Sequence, residues 1–198
     1  MISDLKNNYK NKYIMKSRIY LRALELDDYK VSIQWRNDDE ISNLVGGPKY
    51  YVSSEREKEW VRNAIFDNSK IVLAICLKDS NKYIGNIMLQ DIDYVNRSGH
   101  VPVLIGDKTE WNKGYATEAR MLMLHYAFYH KGLERIVAYV LEDNISSLKM
   151  HEKCGYKVEG VLRRSVYKNG KFHNQVVLSI LRDEFEEVYK AYCDKHAF

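Results

Sequence analysis

The sequence predicts an α+β fold, a mixed sheet of hairpins and crossovers flanked by helices. Strand and helix patterns alternate through the middle of the chain, and hairpin signals stand near both ends, at Asp79-Ser80-Asn81 and Asn169-Gly170. No internal repeat is visible. Alternation throughout would point to a doubly wound parallel sheet, whereas hairpins require antiparallel neighbours.

Each element has its own signal. Residues 19–24 alternate and are β-rich, which predicts a first strand. Asp27 and Asp28 cap a helix that runs through Trp35. Gly46-Gly47-Pro48 is a breaker. Ser53 and Ser54 open a second helix reaching about Phe66, with Ser54 and Glu57 spaced as a capping box. The run Ile71 to Leu77 reads as a buried strand, paired through the turn at residues 79–81 with a strand over Tyr83 to Leu89.

A further strand is expected from His100 to Ile105. It contains Pro102, which cannot donate to a ladder and so marks a bulge or a break in pairing. A long helix follows from Tyr115 to Tyr129, ended by Gly132. Then come a strand over 136–141, a short helix over 144–153 stopped by Gly155, and two strands around Asn169-Gly170. A charged helix from Arg182 to Tyr192 closes the domain. The expected division is a polar basic leader at 1–17, a single domain at 18–192 and a tail at 193–198.

Composition narrows the function classes. The chain has 198 residues, 45% of them hydrophobic, which suits one domain with a real core. Residues 1–18 carry Lys6, Lys10, Lys12, Lys16 and Arg18 against Asp4, which is +4; the whole chain is also +4, so the rest is neutral. The basic character belongs to the leader, and a nucleic-acid partner is not expected. No apolar run approaches the roughly 20 residues of a membrane span. Three scattered cysteines, Cys76, Cys154 and Cys193, fit neither a disulfide framework nor a metal site, so a cytoplasmic protein without metal is expected.

The informative loop is Ile105-Gly106-Asp107-Lys108-Thr109-Glu110-Trp111-Asn112-Lys113-Gly114-Tyr115-Ala116-Thr117, where a strand ends and a helix begins. Free amides at a helix start and the helix dipole attract anions. Gly114 and Ala116 permit close approach, and Lys113 adds a cation. A phosphate or pyrophosphate site is one reading and a plain capping loop the other. The glycine spacing matches neither a Walker A loop nor a dinucleotide fingerprint.

Trp111-Asn112-Lys113-Gly114-Tyr115-Ala116 resembles motif A of the GNAT superfamily of N-acetyltransferases, with Trp at the usual Gln/Arg position. Asn144-Ile145-Ser146-Ser147, Glu152-Lys153-Cys154-Gly155-Tyr156 and Tyr167-Lys168-Asn169-Gly170 resemble signatures of the branch holding ribosomal-protein N-terminal and spermidine acetyltransferases. The resemblance covers residues 18 to 188 in element order. It implies a mostly antiparallel central sheet whose fourth and fifth strands splay into a V that admits acetyl-CoA. By that similarity, the backbone of Val103, Leu104 and Ile105 would pair with the pantetheine arm. Asn112, Lys113, Gly114, Tyr115, Ala116 and Thr117 would hold the pyrophosphate, and Asn144 and Ser147 would contact the cofactor from the other side.

The implied reaction is direct acetyl transfer to a primary amine in a ternary complex. It needs a neutral amine, oxyanion stabilisation and a proton for the leaving thiolate. Many family members carry a tyrosine acid seven residues after the asparagine; here that position is His151, either an acid or a packing residue. His100 stands where the branch often has Glu and is a candidate base or water-orienter. Asp91 and Asp93 could attract a cationic amine or be turn residues, and Trp35 could line the acceptor pocket or the core.

An α-amine titrates at about 7.7 to 8.0 and a lysine amine at about 10.4, so a site with only histidine bases favours weakly basic amines. A protein or peptide α-amine, a polyamine or an amino sugar is the expected acceptor. The alternative function is a non-catalytic acyl-CoA sensor or scaffold, and the expected assembly is a monomer or homodimer.

Overall fold

The computed structural model describes residues 16–47 and 49–195. Most of the expected leader, the last three residues of the expected tail, and Pro48 of the breaker lie outside them. The chain runs β1 (Ile19–Ala23), α1 (Tyr29–Arg36), α2 (Asp39–Leu44), α3 (Ser54–Phe66), β2 (Ile71–Leu77), β3 (Tyr83–Asp93), β4 (Ser98–His100), β5 (Val103–Ile105), α4 (Tyr115–His125), β6 (Arg135–Leu141), α5 (Ile145–Lys153), β7 (Lys157–Lys168), β8 (Lys171–Leu181) and α6 (Arg182–Lys195). The expected boundary at 192 is too early: α6 continues to Lys195, and Cys193 is buried in the core.

Local chemistry explains most elements. Asn169 and Gly170 both take positive φ, as a tight hairpin turn requires. Asp38 caps α2, a helix of six residues that no periodicity announced. The capping box expected from Ser54 does not form. Ser53 caps α3 by accepting from the Arg56 amide, and the Glu57 carboxylate turns inward to Ser32 (2.6 Å) and Arg36 (3.0 Å).

The sheet order is β1-β2-β3-β4-β6-β8-β7, with β5 paired to β3 beside this path. All pairs are antiparallel except β4 with β6, which is parallel. The strand expected over 100–105 is thus two short strands, β4 and β5, separated by Val101 and Pro102. Both stay on β3, but β6 follows only β4: the pairing stops at His100 opposite Val137. Beyond that point β6 keeps β8 on its other side, and no pairing with β5 exists among the described residues. The sheet is therefore split between β5 and β6.

Two cores cover the sheet faces. Strand parity sends Ile75 and Leu77 to the larger core with α4 and α6 residues such as Leu124 and Phe185. Ala74 and Cys76 go to a smaller core with Trp35, Ile41, Ala64 and Tyr83. The loop after α2 reaches across to the β7–β8 hairpin. The Lys168 ammonium donates to the Val45 and Gly47 carbonyls (2.8 and 2.9 Å). The Asn169 amide donates to Asn43 (2.9 Å) and the Asn144 amide to the Leu44 carbonyl (2.8 Å).

Candidate active site

The split presents backbone. Met88 donates to the Pro102 carbonyl and Gly106 to the Ile84 carbonyl, which fixes the parity of the β3–β5 ladder. Leu104 therefore bonds Asn86 on β3, while the amides and carbonyls of Val103 and Ile105 face β6. Of the three residues expected to pair with pantetheine, Leu104 has its backbone on the wrong side. The Ile105 carbonyl already accepts from the Trp111 indole (2.7 Å), which ties the anion loop to the strand. Leu104 instead sends its side chain to the smaller core with Trp35 and Trp111.

The loop turns backbone donors outward. The first intrahelical bond of α4 is Glu118 N–H to the Gly114 carbonyl, so the amides of Tyr115, Ala116 and Thr117 point out of the helix. Gly114 has φ of 87°, a conformation that disfavours other residues, and Asn112 also takes positive φ. Lys113 is less available than its position suggests, because its ammonium pairs with Glu110 (2.8 Å). Another cation stands at the loop. Arg18, counted with the leader charges in the sequence, donates Nη2 to the Lys113 carbonyl (3.0 Å) and lies over the Tyr115 ring (4.6 Å).

Glu118 anchors that arrangement. It is 3% exposed and accepts from Ser17 Oγ, from the Arg18 amide and guanidinium, and from the Ile19 amide. The start of β1 is therefore pinned to the first turn of α4. Arg18 and Glu118 were missed in the sequence because they lie 100 residues apart and neither belongs to a distinctive spacing.

The histidines have opposite situations. His151 is 3% exposed, its Nδ1 lies 2.8 Å from the Ser147 carbonyl, and its ring meets Tyr156 edge-on. A carbonyl only accepts, so Nδ1 carries the proton and Nε2 of the neutral ring has none to give. Burial first, and then the nearby Arg120 charge, push this histidine down to about 3. His151 is thus poorly suited to protonate a thiolate at neutral pH. His100 sits where β4 leaves β6, with Nδ1 3.7 Å from Asp91 and its ring against Tyr139. Burial and Arg120 lower its pKa, and Asp91 opposes them.

The remaining expected residues divide. The Asn144 side chain caps α5 at the Ser147 amide (3.0 Å) and donates to the Leu44 carbonyl (2.8 Å). Ser147 Oγ lies 3.4 Å from His151 Nδ1. The Asp93 carboxylate is spent on Val95 and Asn96 in its own turn, whereas Asp91 is largely exposed beside His100. Trp35 is 6% exposed and packs on Tyr83 (ring centroids 4.8 Å) and on Gly106, where a Cβ would fall 1.9 Å from the indole. It lines a cavity of about 30 Å³ with Glu57, Arg36, Trp60, Asn86 and Leu104, directly behind β5.

A mixed sheet opened at a proline, with outward amides at both the gap and the loop, offers donors that suit an extended ligand along a strand edge and an anion at a helix start. The chain belongs to the GNAT family: residues 18–157 match its acetyltransferase domain. It is 30% identical over 178 residues to the probable N-acetyltransferase YjcK of Bacillus subtilis, covering 85% of this chain and 97% of the relative. It is 27% identical over 172 residues to the spermidine N(1)-acetyltransferase of Vibrio cholerae, covering 86% and 97%. The crystal structure of that bacterium's spermidine N-acetyltransferase with CoA and spermine superposes with a TM-score of 0.79 at 25% identity, covering 86% of this chain and 99% of the other. The protein is an N-acetyltransferase, and its family uses acetyl-CoA. Among the described residues no helix is long and apolar enough to cross a membrane.

Proposed function

We propose that this enzyme moves an acetyl group from acetyl-CoA to the primary amine of a slim small molecule by direct attack in a ternary complex. One observation carries the reading: the amides of Val103 and Ile105 have lost a strand partner at the break after His100. Those groups pair with pantetheine, and the amides of Tyr115, Ala116 and Thr117, with Arg18 beside them, hold the pyrophosphate. An unclaimed amide at the split stabilises the oxyanion as it forms.

His100 takes the amine's proton. Its lowered pKa keeps it neutral near pH 7, and Asp91 stabilises the cation once formed. The exposed Asp91 carboxylate also attracts a cationic amine to this end of the cleft. Relatives named as spermidine acetyltransferases support a small amine over a folded protein terminus. Three free, buried cysteines suit a reducing cytoplasm.

Thiol release from acetyl-CoA, measured with spermidine, amino sugars and N-terminal peptides, tests this. Turnover of the slim amines ahead of the peptides is expected, and peptides far ahead would overturn the acceptor. The neutral His151 favours a second reading, an acyl-CoA sensor without turnover. Tight CoA binding with no thiol release across the panel would establish it.

A further inference from the structure

A buried cation lies beside the position that lacks its acid. Arg120, on the inner face of α4, is 2% exposed. Its Nε reaches Met150 Sδ (3.1 Å) and its Nη1 reaches the Tyr156 hydroxyl (3.2 Å). Among the described residues no carboxylate lies within ion-pair distance of it, and Nη2 has no acceptor. No side-chain nitrogen or oxygen among them is both sealed from solvent and unpartnered, so Nη2 must face accessible space.

The surroundings supply no counter-charge. From α5 and the turn after it come Met150, His151, Cys154 and Tyr156, and from the end of β4 comes His100. Burial pushes Tyr156 up to about 12 and Cys154 up to about 11, so both stay protonated at neutral pH, while both histidines are neutral. Burying an unpaired charge is expensive, and a guanidinium held with open N–H groups is an anion site.

We propose that Arg120 is a catalytic residue that holds the sulfur of departing coenzyme A as a thiolate, replacing a proton donor. The inference rests on the acetyl-transfer reading above. As the amine nitrogen bonds the acetyl carbon, the carbon–sulfur bond breaks and its electron pair stays on sulfur. The amine's spare proton goes to His100. Arg120 stabilises the sulfur charge without transferring a proton, and Tyr156 and Met150 fix its orientation. The thiolate acquires its proton after release to solvent.

The test is the pKa of the coenzyme A thiol bound to the enzyme, followed by ultraviolet thiolate absorbance against pH. A drop of about one unit or more below the thiol of free coenzyme A is expected in the wild type. Arg120→Met should abolish the shift and Arg120→Lys should keep much of it. In Arg120→Met kcat should fall about 10- to 100-fold with the KM for acetyl-CoA within about twofold. If the Met variant does not fold, the wild-type titration decides. Bound coenzyme A with an unshifted thiol, or an equal shift in wild type and Arg120→Met, overturns this assignment alone. Failure of the wild type to bind coenzyme A overturns the acetyl-transfer reading with it.

Discussion

Replacing Glu118 with alanine tests whether the anion loop depends on the entry of β1. The carboxylate accepts from two backbone amides, Arg18 and Ile19, and from the Ser17 hydroxyl. Ile19 is fully buried, so water cannot take over there, although Ser17 Oγ remains as a long acceptor at 3.2 Å. An unpaired buried donor costs about 1–3 kcal/mol, which gives about 2–4 kcal/mol in all. The Arg18 side chain is 58% exposed and returns to water at little cost. For a chain of this size each kcal/mol lowers Tm by about 2–4 °C, so a fall of about 5–15 °C is expected. Arg18→Ala should behave differently: stability should change by less than about 1 kcal/mol, while acetyl-CoA affinity should fall about three- to tenfold through the lost loop cation. Thermal unfolding and calorimetric titration of both variants separate the two effects. Equal losses of Tm, or a Glu118→Ala loss under about 1 kcal/mol, would refute the anchoring argument.

Gly114→Glu should abolish acetyl-CoA binding by calorimetry, because it puts bulk and negative charge on a left-handed residue against the outward amides. Gly106→Ala should destabilise by about 2 kcal/mol or more in urea unfolding, since its Cβ would overlap the Trp35 indole. His151 titrates at about 3 when folded against 6.5 ordinarily, so the unfolded chain binds the extra proton between those values. Its contribution is full above about 6.5 and is lost as pH falls toward 3, at about 1.4 kcal/mol per pH unit, and His151→Gln should flatten that slope in chemical unfolding. The same variant should leave the neutral-pH kcat nearly unchanged; a loss of tenfold or more would restore His151 as a proton donor.

Local chemistry was legible and long-range chemistry was not. Pro102 marked the break in the fourth strand because a missing N–H is a property of one residue, and Asn169-Gly170 marked its turn for the same kind of reason. Asp38 and the short α2 gave too few turns for a periodic signal. The spacing of Ser54 and Glu57 was real, but Glu57 found stronger partners in Ser32 and Arg36, 25 and 21 residues away. Asn144 caps α5, a role its place before a short helix also allowed. Arg18 read as a tail charge and nothing in the sequence singled out Arg120; their meaning depends on what the fold sets beside them.

The Lys168 contacts bear on how wide the cleft can open. The loop they hold leads off the β1–β3 half of the sheet, and the hairpin carrying Lys168 belongs to the β6 half. Among the described residues the halves share only the three-residue β4–β6 seam as direct sheet pairing, so the lysine, Asn169 and Asn144 work as a second fastening, a buckle. Forcing the halves apart must stretch all of these bonds together. Any widening that leaves these bonds intact is therefore limited by the buckle and the seam together.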